Sequence, residues 1–198
     1  MAIAINGSTN VITGVGVGGL PDGIVDADML AANAVTAGKL ASGVGGKILQ
    51  VVSTTKTDTS SMTGETPTDI AGFTVTITPS SASSKIMIFA CINHGGSGGG
   101  YPGFNLLRGT TEICVGTYGT ASNRQLTTAG SNNNAYRLSS SILHFLDSPN
   151  TTSAITYKVQ MSTYGTQTVW INRPLSIDGS NNYTMGATST ITAQEVTA

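Results

Sequence analysis

From Phe73 to Thr78 the chain alternates without a break, with Phe73, Val75 and Ile77 on one side and Thr74, Thr76 and Thr78 on the other. Successive side chains of an extended strand point to opposite faces, so this stretch predicts a strand with one apolar and one hydroxyl-bearing face. A helix cannot use that spacing, because its faces recur about every 3.6 residues. The pattern returns at Ile155, Tyr157, Val159 and Met161, which alternate with Thr156, Lys158 and Gln160. Ile86 to Ile92 is apolar throughout and predicts a central strand covered on both faces. Further strands are expected at 47–55, 104–108, 111–117, 136–146, 167–172 and 188–196.

Between them lie turn-forming pieces, among them Pro79-Ser80-Ser81, Gly95 to Gly100, Ser131 to Asn134, Ser148-Pro149-Asn150 and Gly179 to Asn182. Many short strands at this spacing predict an all-β fold, an antiparallel β-sandwich of jelly-roll-like type. Composition agrees. Thr, Ser, Gly and Asn make up 89 of 198 residues. Charged residues are 10% of the chain, against about 25% in an average domain. The Glu and Lys that clothe exposed helices are scarce, at three and five residues. With 39% apolar residues and a net charge of −1, the chain does not have the composition of a disordered one.

Charge also removes function classes. Nine Lys and Arg stand singly among ten Asp and Glu, so no basic stripe exists to neutralise phosphates and no nucleic-acid partner is expected. No apolar run approaches the roughly 18 residues of a membrane helix, and no membrane insertion is expected. Residues 1–10 carry no Lys or Arg ahead of their few apolar residues, unlike a secretory signal, so synthesis in the cytoplasm is expected. Cys91 and Cys114 are then expected as reduced, buried thiols.

The first 46 residues read differently. Residues 24–43 repeat with a period of ten: Val25 falls over Val35, Ala27 over Ala37, Leu30 over Leu40 and Ala31 over Ala41. So short a unit builds no core alone. It becomes sensible when several chains lie around an axis and bury Val25, Leu30, Val35 and Leu40 against one another. The expected organisation is an N-terminal attachment segment over 1–23, a repeat near the axis over 24–46 and a β-sandwich over 47–198.

Motifs for catalysis are weak. Gly14, Gly16 and Gly19 fit a dinucleotide fingerprint, but Leu20-Pro21-Asp22-Gly23 follows as a turn where a helix should open. Gly95 to Gly100 lacks the Lys-Ser/Thr ending of a phosphate loop. No cofactor is expected. His94 and His144 lack ligand spacing for a metal and no elbow-type serine accompanies them, so neither a metal site nor a catalytic triad is expected. Glycoside hydrolysis needs two facing carboxylates; Glu112, Asp147 and Asp178 fall near strand ends, but no spacing marks a pair. The chain is not expected to be an enzyme.

Aromatic and amide groups in loops remain. Tyr101 and Asn105 follow the glycine loop, Asn132 to Asn134 precede a strand, and Tyr164, Trp170 and Tyr183 come late. Aromatic rings meet the C–H faces of sugars, and amides meet their hydroxyls. Tyr101, Asn105, Asn133, Tyr164 and Tyr183 are therefore the candidate glycan-binding residues. Trp170, within Val169-Trp170-Ile171, reads equally well as core.

Several stretches resemble the small tail-fibre or fibre-like virion proteins of marine bacteriophages. They include Gly46-Lys47-Ile48-Leu49-Gln50-Val51-Val52-Ser53, Val75-Thr76-Ile77-Thr78-Pro79-Ser80-Ser81 with Ser84-Lys85-Ile86, Phe145-Leu146-Asp147-Ser148-Pro149, Ile155-Thr156-Tyr157-Lys158-Val159 and Ile171-Asn172-Arg173. The closing Ser189-Thr190-Ile191-Thr192 and the opening Gly19-Leu20-Pro21-Asp22-Gly23, with the repeat at Val35 to Leu40, are similar too. The resemblance implies a homotrimer in the virion, on its tail or capsid surface. Its N-terminal segment would dock on other virion proteins, and its β-domain would recognise host surface polysaccharide or lipopolysaccharide. The absence of a long shaft leaves a capsid or tail decoration or adaptor protein as the alternative, with a polysaccharide-degrading tailspike a third reading.

Overall fold

The computed structural model describes residues 4–6, 11–13, 30, 34–36, 39, 47–97, 101–116, 129–130, 136–177 and 185–197. Two compact units divide the chain at Gly46, Met1–Gly46 and Lys47–Ala198. In the first, strands β1 (Ala4–Asn6) and β2 (Val11–Thr13) pair antiparallel. Leu30 and Val35 are exposed, and the Lys39 ammonium donates to the Ala34 carbonyl at 2.9 Å. The proposed axis residues Val25 and Leu40 lie outside the described residues.

The second unit is all-β, with no α-helix among the described residues. Its strands are β3 (Ile48–Lys56), β4 (Ser60–Thr63), β5 (Thr68–Ile77), β6 (Lys85–Gly96), β7 (Gly103–Arg108), β8 (Thr111–Ile113), β9 (Ala129–Gly130), β10 (Ser139–Asp147), β11 (Ile155–Ser162), β12 (Thr168–Ile171) and β13 (Ser189–Val196). They form a six-stranded and a five-stranded antiparallel sheet.

The winding follows from pairing. β3 pairs with β13, β5 with β11, β6 with β10 and β7 with β8, the nested pairs of one long folded ribbon. Rolling that ribbon adds β13 beside β6 and β11 beside β7. The result is the jelly-roll order, β3-β13-β6-β10 facing β5-β11-β7-β8. β12 extends the first sheet by pairing with the end of β6 and with β4. Between the sheets lie Phe73, Val75 and Ile77 of β5, Ile86, Ile88 and Ile92 of β6, and Tyr157, Val159 and Met161 of β11, all at most 2% exposed.

The alternating segments behave as their period demands, with Thr74 and Thr76 exposed between buried neighbours. One expectation is corrected. β6 is central and paired on both edges, yet its burial alternates: Ile86, Ile88, Ala90 and Ile92 are buried while Phe89 is 44% exposed. A single chain covers only one face of this apolar run. The cysteines are also corrected, since they are free but not buried; Cys91 is half-buried on β6 and Cys114 is exposed at a positive φ of 59°. The strand expected over 111–117 stops at Ile113, just before that turn. β4 was not foreseen, because Ser60-Ser61-Met62-Thr63 lacks the apolar alternation of a strand.

Buried polar groups are tied into the sheets. Asp147, 5% exposed, accepts the Tyr157 hydroxyl at 2.6 Å and the Arg108 guanidinium at 3.0 Å. Burial, reinforced by that carboxylate, pushes the Tyr157 phenol far above its usual range. Asn172 adopts a left-handed φ of 64°. Its amide donates to the carbonyls of Lys56 and Asp58 and accepts the Ser189 hydroxyl. Gly95 is required by close approach, because a Cβ there would lie 2.7 Å from Pro174 Cα and 2.9 Å from the Arg173 carbonyl oxygen.

Candidate functional site

One end of the sandwich collects residues 64–67 between β4 and β5, 97 and 101–102 between β6 and β7, and 163–167 between β11 and β12. Their meeting follows from register, since Thr168 lies opposite Thr63, Val169 opposite Gly96, and Ser162 opposite Gly103. Hydrogen bonds fix the loops to one another. Thr163 N–H donates to the Gly64 carbonyl at 2.9 Å, Gly165 N–H to a Glu65 carboxylate oxygen at 3.0 Å, and Ser97 N–H to the Thr168 carbonyl at 3.0 Å. Gly165 takes the left-handed φ of 58° that lets the chain turn directly after Tyr164.

On this end stand Tyr101 and Tyr164, 60% and 63% exposed, with ring centroids 6.4 Å apart and planes at 75°. The two residues are distant in sequence and belong to different connections, yet they form one aromatic patch. An edge-on pair of this kind presents a ring face and a neighbouring hydroxyl together, and the Tyr164 turn is closed by the Gln167 N–H donating to the Tyr164 carbonyl at 3.2 Å.

The other candidates divide. Asn105 is corrected: it lies in β7 at 3% exposure and donates its amide to Glu112 at 2.8 Å, so no ligand at the surface can reach it. Its side-chain oxygen is without a hydrogen-bond partner among the described residues. Sequence position beside an exposed tyrosine misled here, because alternation along β7 gives way to burial of nearly the whole strand. Asn133 and Tyr183 lie outside the described residues.

Trp170 is half-buried, with the Arg173 guanidinium 4.1 Å above its ring centroid. Beside it, Arg173, Pro174, Ile177, Met185 and Gly186 line a cavity of about 60 Å³. That is far below the ~300 Å³ or more of a typical small-molecule site. His94 is fully buried, 3.0 Å from the Ser141 hydroxyl and packed on Phe104, whereas His144 is exposed on β10. Among the described residues no three His, Cys, Asp or Glu come together as a metal site would require. Of the carboxylates weighed for hydrolysis, Asp147 is engaged by Arg108 and Tyr157 and Glu112 by Asn105, while Asp178 lies outside the described residues.

No family model matches the chain, and no curated protein does. Among solved structures, particles of infectious bursal disease virus are similar. The Gt strain is 15% identical with a TM-score of 0.39, over 75% of this chain and 38% of that one. The Gx strain is 17% identical with a TM-score of 0.39, over 75% and 37%. The VP2 subviral particle is 14% identical with a TM-score of 0.38, over 75% and 38%. This chain therefore spans under two fifths of the length of those chains, and a likeness of this size carries no argument about function.

Proposed function

We propose that the chain is a virion protein of fibre type, exposed on the tail or capsid surface, that attaches to the particle through its N-terminal segment and binds host surface glycans. Several copies, three in the parent assembly, would act together, and no catalytic step is asked of the protein. The observation that carries this reading is the exposed Tyr101–Tyr164 pair on the loop end of the sandwich. The jelly roll itself is shared by viral capsid and lectin domains, which supports the reading. The sequence resemblance to phage fibre-like proteins supports it from a separate direction.

One such contact is weak. A millimolar site corresponds to about 4 kcal/mol, and several copies on one particle raise the effective affinity by roughly 10²–10⁴. The test is binding of the purified protein to immobilised lipopolysaccharide and capsular polysaccharide of the host. The double variant Y101A/Y164A should lose at least tenfold in retention while melting like the wild type. Equal retention by both proteins, or none by the wild type, refutes the glycan reading. A decoration or adaptor role then takes its place.

A further inference from the structure

The outer faces of the two sheets differ in kind. That of the five-stranded sheet is polar: Thr74 and Thr76 of β5 stand beside Thr156 and Lys158 of β11. Lys158 pairs with Asp69 at 2.7 Å, and the Thr76 and Thr156 hydroxyls bond at 2.8 Å. This is the ordinary condition of a solvated sheet face. The outer face of the six-stranded sheet carries large exposed apolar side chains among uncharged polar ones. Phe89 of β6 is 44% exposed, Ile142 and Leu146 of β10 are 66% and 43% exposed, and Val51 of β3 is 56% exposed.

Register makes these residues one surface. Leu146, Met87, Gln194 and Val51 form one row across four strands. His144, Phe89, Thr192 and Ser53 form the next, and Ile142, Cys91, Thr190 and Thr55 the third. Four strands at about 4.8 Å and three rows at about 6.6 Å span roughly 380 Å², about half of it given by the apolar Leu146, Met87, Val51, Phe89, Ile142 and Cys91. Each partner of a standard stable interface gives about twice that, ~800 Å².

We infer that this face is the surface through which copies of this chain associate. The inference deepens the self-association within the proposed function and rests on it. A second copy is favoured over another partner by the chemistry of the face. Its three rows hold no Lys, Arg, Asp or Glu, so like residues can meet without repulsion. Its hydroxyls, on Ser53, Thr55, Thr190 and Thr192, each both donate and accept, and so complement themselves. The unbroken apolar run from Ile86 to Ile92 also asks for a cover on both faces of β6, and the sandwich supplies only one.

The test is the solution mass of the full chain by light scattering. The wild type should weigh two or three times 20.1 kDa. F89E/I142E should shift to a single-chain mass, with at least tenfold weaker association. T76E, on the polar outer face of the other sheet, should keep the wild-type mass. Should F89E melt early, I142E alone serves, since Ile142 is two-thirds exposed and its replacement disturbs no core. A wild type at 20 kDa, or face variants that keep the wild-type mass, overturns the inference. Loss of polysaccharide binding with the mass pattern intact removes the glycan reading and leaves this one standing.

Discussion

The carboxylate of Glu195 is fully buried yet holds the connection between β5 and β6 against β13. It accepts the Ser80 N–H at 2.7 Å and the Ser80 hydroxyl at 2.6 Å on one oxygen, and the Gln50 amide at 2.7 Å on the other. Burial alone raises its pKa, but the hydrogen bonds from Ser80, Ser84 and Gln50 outweigh it and bring the group from 4.5 down to about 2. At about 1.4 kcal/mol per pKa unit, the ionised form contributes on the order of 3 kcal/mol to folding. The folded value lies below the unfolded one, so this contribution is complete above pH 4.5 and disappears as pH falls towards 2. E195Q keeps the shape but turns an NH2 towards donors, and should lose about 2–3 kcal/mol at pH 7. Urea unfolding followed by fluorescence of the single Trp170 reads this directly. With a slope of about 2 kcal/mol/M, the midpoint should drop by about 1–1.5 M at pH 7, and the gap should shrink to roughly a quarter of that by pH 2.5. Both are compared at one protein concentration, because association adds to apparent stability. Equal midpoints at pH 7, or a gap that persists unchanged at pH 2.5, refute the reasoning.

Three further outcomes follow from the same interior. D147A strands the Arg108 guanidinium and the Tyr157 hydroxyl; with Arg108 one-third exposed, the cost should be about 2–3 kcal/mol. D147N, which still accepts from Tyr157, should cost about half as much by the same urea titration, and equal costs would contradict this account. N172A loses three side-chain hydrogen bonds and strains a left-handed φ, whereas N172G loses only the bonds. N172A should therefore melt below N172G by the equivalent of about 1 kcal/mol, and the reverse order would exclude backbone strain at this position. G95A drives a methyl into the backbone of Arg173 and Pro174. It should cost about 1–3 kcal/mol and shift Trp170 emission to the red as Arg173 leaves its ring; an unshifted spectrum would contradict the close approach.

Much of the fold was legible because a sandwich is written in period two. Phe73 to Thr78 and Ile155 to Met161 needed nothing beyond alternation, and the turn chemistry between strands marked nine of the eleven strands among the described residues of this unit, missing β4 and β9. Segments where burial does not alternate were harder. β7 is buried on both sides over Gly103 to Leu107, which hid the true position of Asn105. β4 earns its place by pairing with β12, a long-range fact that Ser60-Ser61-Met62-Thr63 does not announce. The site was half legible. Tyr101 and Tyr164 could be named from their loop context, but their juxtaposition depends on β11 and β7 ending beside one another. The polar residues that hold the interior together, Glu195 and Asn172, left no local signal, since their partners lie up to 116 residues away. The apolar run in β6 read as covered on both faces, yet within one chain its outward residues Met87, Phe89 and Cys91 are half-buried or exposed, a face left unanswered.

That unanswered face and the tyrosine patch bear on each other through symmetry. The patch sits at the strand ends, whereas the apolar face runs along the strands. If copies pack those faces around an axis parallel to the strands, every Tyr101–Tyr164 pair emerges at the same end, and a trimer presents three binding patches side by side. If two copies meet about an axis perpendicular to the strands, the pairs point in opposite directions and only one can engage a given cell surface. Mass alone then carries functional weight. An assembly of about 60 kDa, three times 20.1 kDa, should bind a dense polysaccharide surface far more tightly than F89E/I142E, by the roughly 10²–10⁴ that linked sites confer. An assembly of about 40 kDa with opposed patches should gain little over its single chain on one surface, but should crosslink two. Measuring retention on a dense and on a sparse polysaccharide surface separates these cases, because only side-by-side patches lose affinity steeply as the surface is diluted.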